Sequence, residues 1–160
     1  VNISGKHITQ ADFVEYIANT LEQTGLSPAC LNLEITENAV MGNNEIILDL
    51  LDQLQGHGIQ VQIDDFGVGY SSLNYLSHYS IKVLKIDRSF VSRIPKDQDY
   101  LKIVQAIIKL THGLGLTVVA EGVEDEPTHR LLRELGADHV QGYHFGRPQP
   151  AESVLPLKPG

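Results

Sequence analysis

The chain alternates between strand-like and helix-like runs, and this alternation limits the folds open to it. Strand-like apolar runs occupy 1–4, 30–35, 59–64, 82–87, 117–123 and 139–146. Runs with apolar residues at helical spacing occupy 10–24, 43–56, 71–79, 97–112 and 125–135. Strands that alternate with helices in this way predict a parallel sheet covered by helices. About six βα repeats fit two architectures, an open doubly wound sheet or a (β/α)8 barrel.

Composition and charge narrow the possible partners. The chain has 160 residues and a formal net charge of −8, which disfavours binding to duplex nucleic acid or an anionic membrane. A small phosphate-bearing ligand remains open, because a bound divalent cation can reverse the local charge. Cys30 is the only cysteine, so an intramolecular disulfide is impossible and a reducing compartment is expected.

Polar residues recur at one place in the repeats, at or just beyond the C-terminal end of a predicted strand. These residues are Asn2, Glu34, Asp64, Asp65, Lys85, Glu121 and Gln141. In parallel α/β folds the C-terminal edge of the sheet is where sites form, and in a barrel its side chains converge on one mouth. We therefore expect these residues to form one cluster.

Two adjacent aspartates in the segment IDDFG are the most unusual of these residues. A turn followed by a helix cap would explain them without any function. Strand alternation predicts instead that Asp64 and Asp65 point to opposite sides, one to the barrel axis and one to the rim. Lys85 lies inside the apolar run VLKID, where a lysine is costly unless a carboxylate pairs with it. Glu121 follows the apolar run VVA and has the same need for a partner.

The strand-end residues offer a set of oxygen ligands with net negative charge. The set is Asn2, Glu34, Asp64, Asp65 and Glu121. Oxygen ligands suit a hard cation such as Mg²⁺ or Mn²⁺, and without a cation the carboxylates would repel one another. The adjacent aspartates favour two cations, an arrangement that activates water for phosphoryl hydrolysis.

The histidines show no paired spacing typical of metal ligands, so they are interpreted as surface or structural residues and no zinc site is expected. They are His7, His57, His78, His112, His129, His139 and His144.

Several long motifs resemble those of the EAL domain, a bacterial module that acts as a cyclic di-GMP phosphodiesterase. The motifs are VNIS at 1–4, LNLEITEN at 31–38, IDDFGVGYSSLNYL at 63–76, LKIDRSFV at 84–91, VVAEGVE at 118–124 and QGYHFGRPQP at 141–150. Their order and spacing match the family over nearly the whole chain. The resemblance implies a modified TIM (β/α)8 barrel that hydrolyses cyclic di-GMP to linear pGpG in second-messenger signalling, with Mg²⁺ or Mn²⁺ as cofactor.

The resemblance also implies which residues hold the metals. Asn2, Glu34 and Asp64 match ligands of one ion, and Asp65 matches a ligand of a second ion. Glu121 matches a residue that is a metal ligand or general base.

Other matched residues are implied to act on the water, the substrate or the neighbouring loop. Lys85 matches the residue that holds the attacking water or a phosphate oxygen, and Glu124 and Gln141 match members of the substrate pocket. Glu37 matches the residue that anchors the loop after Asp65.

Two features depart from the family pattern. The Glu-Ala-Leu motif, with its metal-binding Glu and nearby substrate-binding Arg, belongs to an earlier strand and is absent. We therefore expect residues 1–160 to be a single EAL-like domain, N-terminally truncated, from a larger multidomain protein, and the fragment itself to be inactive. In addition, Val68 replaces the usual Thr of DDFGTG, which removes a hydroxyl group from the loop.

Two other functions fit part of the sequence. A catalytically inactive EAL-like module could bind cyclic di-GMP or a protein partner, but degenerate modules usually lose metal ligands that this chain retains. A barrel glycosidase would use two strand-end carboxylates, but its sugars usually stack on aromatic rings, and this chain has no Trp.

The family resemblance also carries expectations about assembly and location. It implies a homodimer formed near the Asp65 loop and a sensor or GGDEF domain fused upstream. The expected location is the cytoplasm, either as a free protein or as the cytoplasmic domain of a membrane protein.

Overall fold

A computed structural model describes residues 1–8, 10, 12–41, 44–68, 81–150 and 153. Its strands are β1 (Asn2–Ile3), β2 (Asn32–Thr36), β3 (Gln60–Phe66), β4 (Val83–Ile86), β5 (Thr117–Ala120) and β6 (His139–Val140). Its α-helices are α1 (Gly5–Ile8), α2 (Phe13–Thr24), α3 (Glu37–Met41), α4 (Asn44–Gly56), α5 (Arg88–Val91), α6 (Gln98–Gly113) and α7 (Glu126–Leu135), with a 3₁₀ turn at Pro28–Cys30. The predicted helix at 71–79 lies outside the described residues.

The described strands form one parallel sheet whose spatial order is the same as their order in the chain, β1-β2-β3-β4-β5-β6. A doubly wound sheet would reverse its strand order at a switch point, and this sheet does not. The prediction of a parallel α/β fold is therefore confirmed, and of the two architectures left open the arrangement is that of part of an α/β barrel.

The two faces of the sheet differ in burial, as expected for strands between a helical layer and a barrel interior. One face carries apolar side chains that are almost completely buried: Leu33, Ile35, Val61, Ile63, Leu84, Ile86, Val118 and Ala120. They belong to the main core together with helix residues such as Leu54, Val104 and Leu132. The other face carries Glu34, Gln62, Lys85 and Val119, so the charged residues share the side opposite this core.

The predicted bounds of most elements are correct to within a few residues, but the last two strands are shorter than predicted. β5 ends at Ala120 rather than at 123, because the chain turns at Gly122, whose φ is +70°. β6 ends at Val140 rather than at 146, because the following residues enter a turn in which the N–H of Phe145 donates to the carbonyl of Gly142. Both turns bring polar residues to the C-terminal edge of the sheet.

Within the residues that the structure describes, no helix has the length and apolar character needed to cross a bilayer.

Candidate active site

A β-bulge in β3 places both aspartates opposite one lysine. In the pairing of β3 with β4, Ile63 faces Leu84 and Phe66 faces Ile86, so Asp64 and Asp65 together oppose Lys85. Asp65 has a φ of +55°, a left-handed conformation that non-glycine residues seldom adopt. The extra residue interrupts the alternation of β3 at this point, and of the two aspartates it is Asp64 whose carboxylate contacts Lys85.

The side chain of Lys85 lies at the centre of three carboxylates. Its Nζ is 2.6 Å from an oxygen of Glu121, 2.8 Å from one of Glu34 and 3.3 Å from one of Asp64. The lysine side chain is only 5% exposed, and each carboxylate is also largely shielded from solvent. Residues from β2, β3 and β4 and from the end of β5 therefore meet at one point, as the strand-end pattern predicted.

This crowding changes the pKa values of several groups. Burial alone lowers the pKa of Lys85, but hydrogen bonds to Glu121 and Glu34 outweigh burial and raise it, so the lysine stays charged. Burial raises the pKa of Glu121 despite the opposing effect of Lys85. The pKa of Asp65 is raised by burial and then by the nearby charges of Asp64 and Asp87.

Asn2 lies beside this cluster on the edge strand of the sheet. In the pairing of β1 with β2, Asn2 is opposite Glu34, and Thr36 is in turn opposite Asp64. Asn2 as a residue is exposed. The register thus places Asn2 next to Glu34 at the edge where the strand-end residues were expected.

Glu37 fixes the start of the loop that follows Asp65. Its side chain is 1% exposed, and its Oε2 accepts a hydrogen bond of 3.0 Å from the backbone N–H of Gly67. Glu37 is also the first residue of α3, directly after β2. A buried carboxylate that holds a backbone amide ties the β2 end to the loop after β3. The neighbouring Val68 is 59% exposed.

Glu124 and Gln141 lie at a second part of the strand-end edge, which also includes Glu121. These residues line a cavity of about 200 Å³ together with Arg88, Gly122, Gly142 and Tyr143. Arg88 Nη2 donates to Oε1 of Glu124 at 2.6 Å. Sequence reasoning missed Arg88 and Tyr143 as lining residues, although both lie within the motifs LKIDRSFV and QGYHFG.

The donor chemistry of the cluster fits divalent cations. Oxygens of Glu34, Asp64 and Glu121 converge on the charged nitrogen of Lys85 within 3.3 Å, so the fold already directs them at a centre of positive charge. Carboxylate oxygens are the ligands that Mg²⁺ and Mn²⁺ prefer. Asp65, with its raised pKa, is a further carboxylate whose charge a cation would relieve.

None of the histidines in the described part of the chain contacts Lys85 or its carboxylates, but two of them come together elsewhere. His129 and His144 lie close to Glu126, near the ends of β5 and β6. His112 pairs with Asp138, as expected of a structural residue. The spacing of 15 positions between His129 and His144 is not one typical of metal ligands, and the fold alone brings the two histidines together.

Comparison with protein families matches residues 1–148 to the EAL domain. The chain is 43% identical over 155 residues to MucR of Pseudomonas aeruginosa, named a bifunctional diguanylate cyclase/cyclic di-GMP phosphodiesterase, covering 97% of this chain and 23% of MucR. It is 45% identical over 154 residues to the cyclic di-GMP phosphodiesterase NbdA of the same organism, covering 96% of this chain and 20% of NbdA. The chain thus spans about a fifth of the length of these curated relatives.

Solved structures of related proteins have the same fold as this chain. The MucR phosphodiesterase in complex with cyclic di-GMP superposes with a TM-score of 0.93 at 42% identity, covering 97% of this chain and 63% of that one. A manganese and cyclic di-GMP complex of BlrP1 from Klebsiella pneumoniae superposes with a TM-score of 0.84 at 32% identity, covering 92% of this chain and 38% of that one. A calcium and cyclic di-GMP complex of BlrP1 matches equally well in identity and coverage.

Proposed function

Because the chain belongs to the EAL domain family, we propose that it is the catalytic part of a phosphodiesterase that hydrolyses cyclic di-GMP to linear pGpG with divalent cations. The observation that carries the proposal is the meeting of Glu34, Asp64 and Glu121 at Lys85. The cyclic di-GMP bound by the MucR and BlrP1 structures supports the choice of substrate.

The cofactor of the proposed reaction is Mg²⁺ or Mn²⁺, with two ions in each site. Asn2, Glu34 and Asp64 would hold one ion, Asp65 the other, and Glu121 would be a ligand or the general base. When bound, the ions would neutralise the phosphate and lower the pKa of water. The bulge supports this assignment, because it presents Asp64 and Asp65 on the same stretch of the edge.

In the proposed reaction, water attacks one phosphorus atom of the cyclic dinucleotide and the P–O3′ bond breaks. The water proton passes to Glu121, and the departing O3′ takes up a proton to become a hydroxyl group. The product is a linear dinucleotide with a 5′-phosphate. Lys85 orients the water or a phosphate oxygen, and its position 2.6 Å from Glu121 supports this role.

We assign binding of the nucleotide to the cavity at the ends of β5 and β6. Glu124 and Gln141 offer polar atoms there, and Glu121 lines the same cavity, which connects the cluster to this surface. Arg88 and Glu124 also contact each other directly at 2.6 Å, although both side chains are more than half exposed. Glu37 serves as a positioning residue for the loop after Asp65.

The proposal extends to the longer protein that carries this chain. The named relatives are about four to five times longer than the matched region, which supports fusion to a sensor or GGDEF domain. We further propose a homodimer formed near the Asp65 loop and a cytoplasmic location for this domain.

The test is incubation of the longest natural form of the protein with cyclic di-GMP and Mg²⁺ or Mn²⁺, followed by chromatography of the products. Linear pGpG should form and should disappear in Glu121→Gln. The exposed carboxylate of Glu134 on α7 offers the matched control, and Glu134→Gln should keep full turnover. Tight binding of cyclic di-GMP without turnover would favour an inactive binding module. If the protein neither binds nor hydrolyses cyclic di-GMP, both functions are refuted.

A further inference from the structure

A cluster of two histidines and one glutamate lies outside the Lys85 site. Oε2 of Glu126 is 3.4 Å from Nδ1 of His129 and 3.2 Å from Nε2 of His144. One ligand atom from each of the three residues lies within 4.8 Å of the other two. We propose that Glu126, His129 and His144 form a binding site for a divalent transition metal ion, with Zn²⁺ as the physiological candidate.

The distances between the ligand atoms fit a tetrahedral ion. Zinc binds nitrogen and oxygen ligands at about 2.0–2.2 Å, so two ligands of a tetrahedral site are separated by about 3.3–3.5 Å. Two of the three separations already have nearly this value. The third separation, between ring nitrogens of His129 and His144, is at most 4.8 Å, so it has to shorten when an ion binds. Three protein ligands leave the fourth position for water.

The backbone holds all three ligands in place. Glu126 and His129 are three residues apart in the first turn of α7, so their side chains share one face of the helix. Asp125 caps this helix by accepting from the N–H of Thr128. The N–H of His144 donates to the carbonyl of Val123 at 3.0 Å, which ties the segment after β6 to the segment before α7.

Packing also orders the two imidazole rings. The ring of Phe145 meets the rings of His129 and His144 nearly edge-on, at centroid distances of 5.2 and 4.9 Å. The histidine side chains are 28% and 27% exposed, so an ion can reach them from solvent. Arg130 contacts the other oxygen of Glu126, Oε1, at 3.6 Å and leaves Oε2 directed at the histidines.

The ligand types separate this site from the carboxylate cluster. Imidazole nitrogens favour zinc and neighbouring transition metals, whereas oxygen-only ligands favour Mg²⁺ and Mn²⁺. A protein in excess Mg²⁺ should therefore still bind zinc at Glu126, His129 and His144. Because His144 follows Tyr143, which lines the same cavity as Gln141, a bound ion would restrict the motion of the chain segment beside that cavity.

The experiment is a calorimetric zinc titration of the full chain without a histidine tag, in excess Mg²⁺. A Cys30→Ser background removes the exposed thiol of the single cysteine in the sequence. One zinc ion should bind. Loss of an outer-shell partner costs about 10–100-fold in metal affinity, so His129→Gln, His144→Gln and Glu126→Gln should each weaken binding by at least about 100-fold.

Two controls distinguish this site from other zinc-binding surfaces. His57→Gln removes an exposed histidine outside the cluster, and Asp64→Asn removes a carboxylate of the Lys85 site, so neither should change zinc affinity. Zinc should also raise the melting temperature of the parent protein but not that of His144→Gln. Equal zinc binding by the parent and all three ligand variants would overturn the proposal, as would loss of zinc binding in Asp64→Asn. If His144→Gln fails to fold, the more exposed Glu126→Gln decides the result.

Discussion

The ammonium nitrogen of Lys85 lies 2.6 Å from a carboxylate oxygen of Glu121, although the two residues belong to different strand ends. Lys85 is on β4, and Glu121 follows β5, where its backbone N–H donates to the carbonyl of Ile86. Parallel pairing of β4 with β5 thus fixes both members of the pair. Without bound cations, this lysine supplies the positive charge that offsets the surrounding carboxylates.

Replacing Lys85 with Met should destabilise the cation-free protein by about 3 kcal/mol, because it leaves three partly buried carboxylates without a counter-charge. Added Mn²⁺ should restore part of this loss, since the ion supplies the missing charge. Urea unfolding with and without Mn²⁺ measures both effects. Lys102→Met removes an exposed lysine paired with Asp99 and should cost less than about 1 kcal/mol. Equal losses in the two variants would contradict the central role of Lys85.

Removal of the Glu37 carboxylate should loosen the loop after Asp65. In Glu37→Ala the N–H of Gly67 loses a charge-assisted hydrogen bond worth about 2 kcal/mol, so its hydrogen exchange should accelerate by about tenfold or more. Glu37→Gln keeps an acceptor and should rescue part of the protection. Amide exchange followed by NMR measures this effect, together with kcat for the assayed protein. Unchanged exchange at Gly67 would show that Glu37 does not hold the loop, and Glu22→Ala on α2 is the exposed control.

Gly122→Ala should disturb the cavity that contains Glu124. A Cβ atom at Gly122 would overlap the side chain of Arg88, and the φ of +70° is itself unfavourable for alanine by about 1–2 kcal/mol. Gly115 has a similar φ of +73° but open space around it, so Gly115→Ala should lose only the stability that the unfavourable backbone conformation costs.

The difference between these two alanine variants isolates the contact with Arg88. Chemical denaturation should show an additional loss of about 1–3 kcal/mol in Gly122→Ala. The same variant should raise KM for cyclic di-GMP, while Gly115→Ala should leave KM unchanged. Identical unfolding free energies and KM values in both would mean that the Arg88 contact is unimportant.

The pKa of Asp138 predicts one component of acid sensitivity. Burial raises this pKa, but hydrogen bonds from the N–H of Val118 at 2.7 Å and from His112 outweigh burial and lower it. A lowered folded-state pKa stabilises the protein above the usual value, about pH 4, and this stabilisation disappears as the pH falls through the folded-state pKa.

Asp138→Asn should therefore lower the free energy of unfolding by about 1 kcal/mol near neutral pH, a value reduced for solvent screening at this partly exposed carboxylate. The difference in unfolding free energy between the parent and Asp138→Asn should shrink as the pH falls below about 4. Chemical denaturation of both proteins at a series of pH values measures this difference. Asp52→Asn makes the same charge change at an exposed position of α4 and should show no such convergence. A gap that stays constant with pH would contradict the assignment to Asp138.

The position of the candidate site follows from the sequence because it depends on strand ends. Lys85 and Glu121 each interrupt or follow an apolar run, and a buried charge in such a place requires a partner. In parallel strands of a barrel, those ends converge. The parallel fold and the strand-end cluster could therefore be predicted before any coordinates.

Finer geometry depends on features that a residue pattern does not contain. Strand alternation assumes a regular ladder, so a residue pattern does not reveal the bulge that adds a residue to β3 at Asp64 and Asp65. Arg88 was missed because its role depends on the space left by Gly122 across a turn. His129 and His144 were not recognised as neighbours, because their approach results from the turn after β6 and the first turn of α7.

The most direct measurement of the central claim is hydrolysis of cyclic di-GMP in ¹⁸O-labelled water, using the longest natural form of the protein with Mn²⁺. Mass spectrometry of the product should find pGpG with one ¹⁸O atom in its 5′-phosphate, formed by the parent and by Glu134→Gln but not by Glu121→Gln. The absence of pGpG from the metal-loaded parent, or equal labelled product from Glu121→Gln, would contradict hydrolysis at the Lys85 cluster.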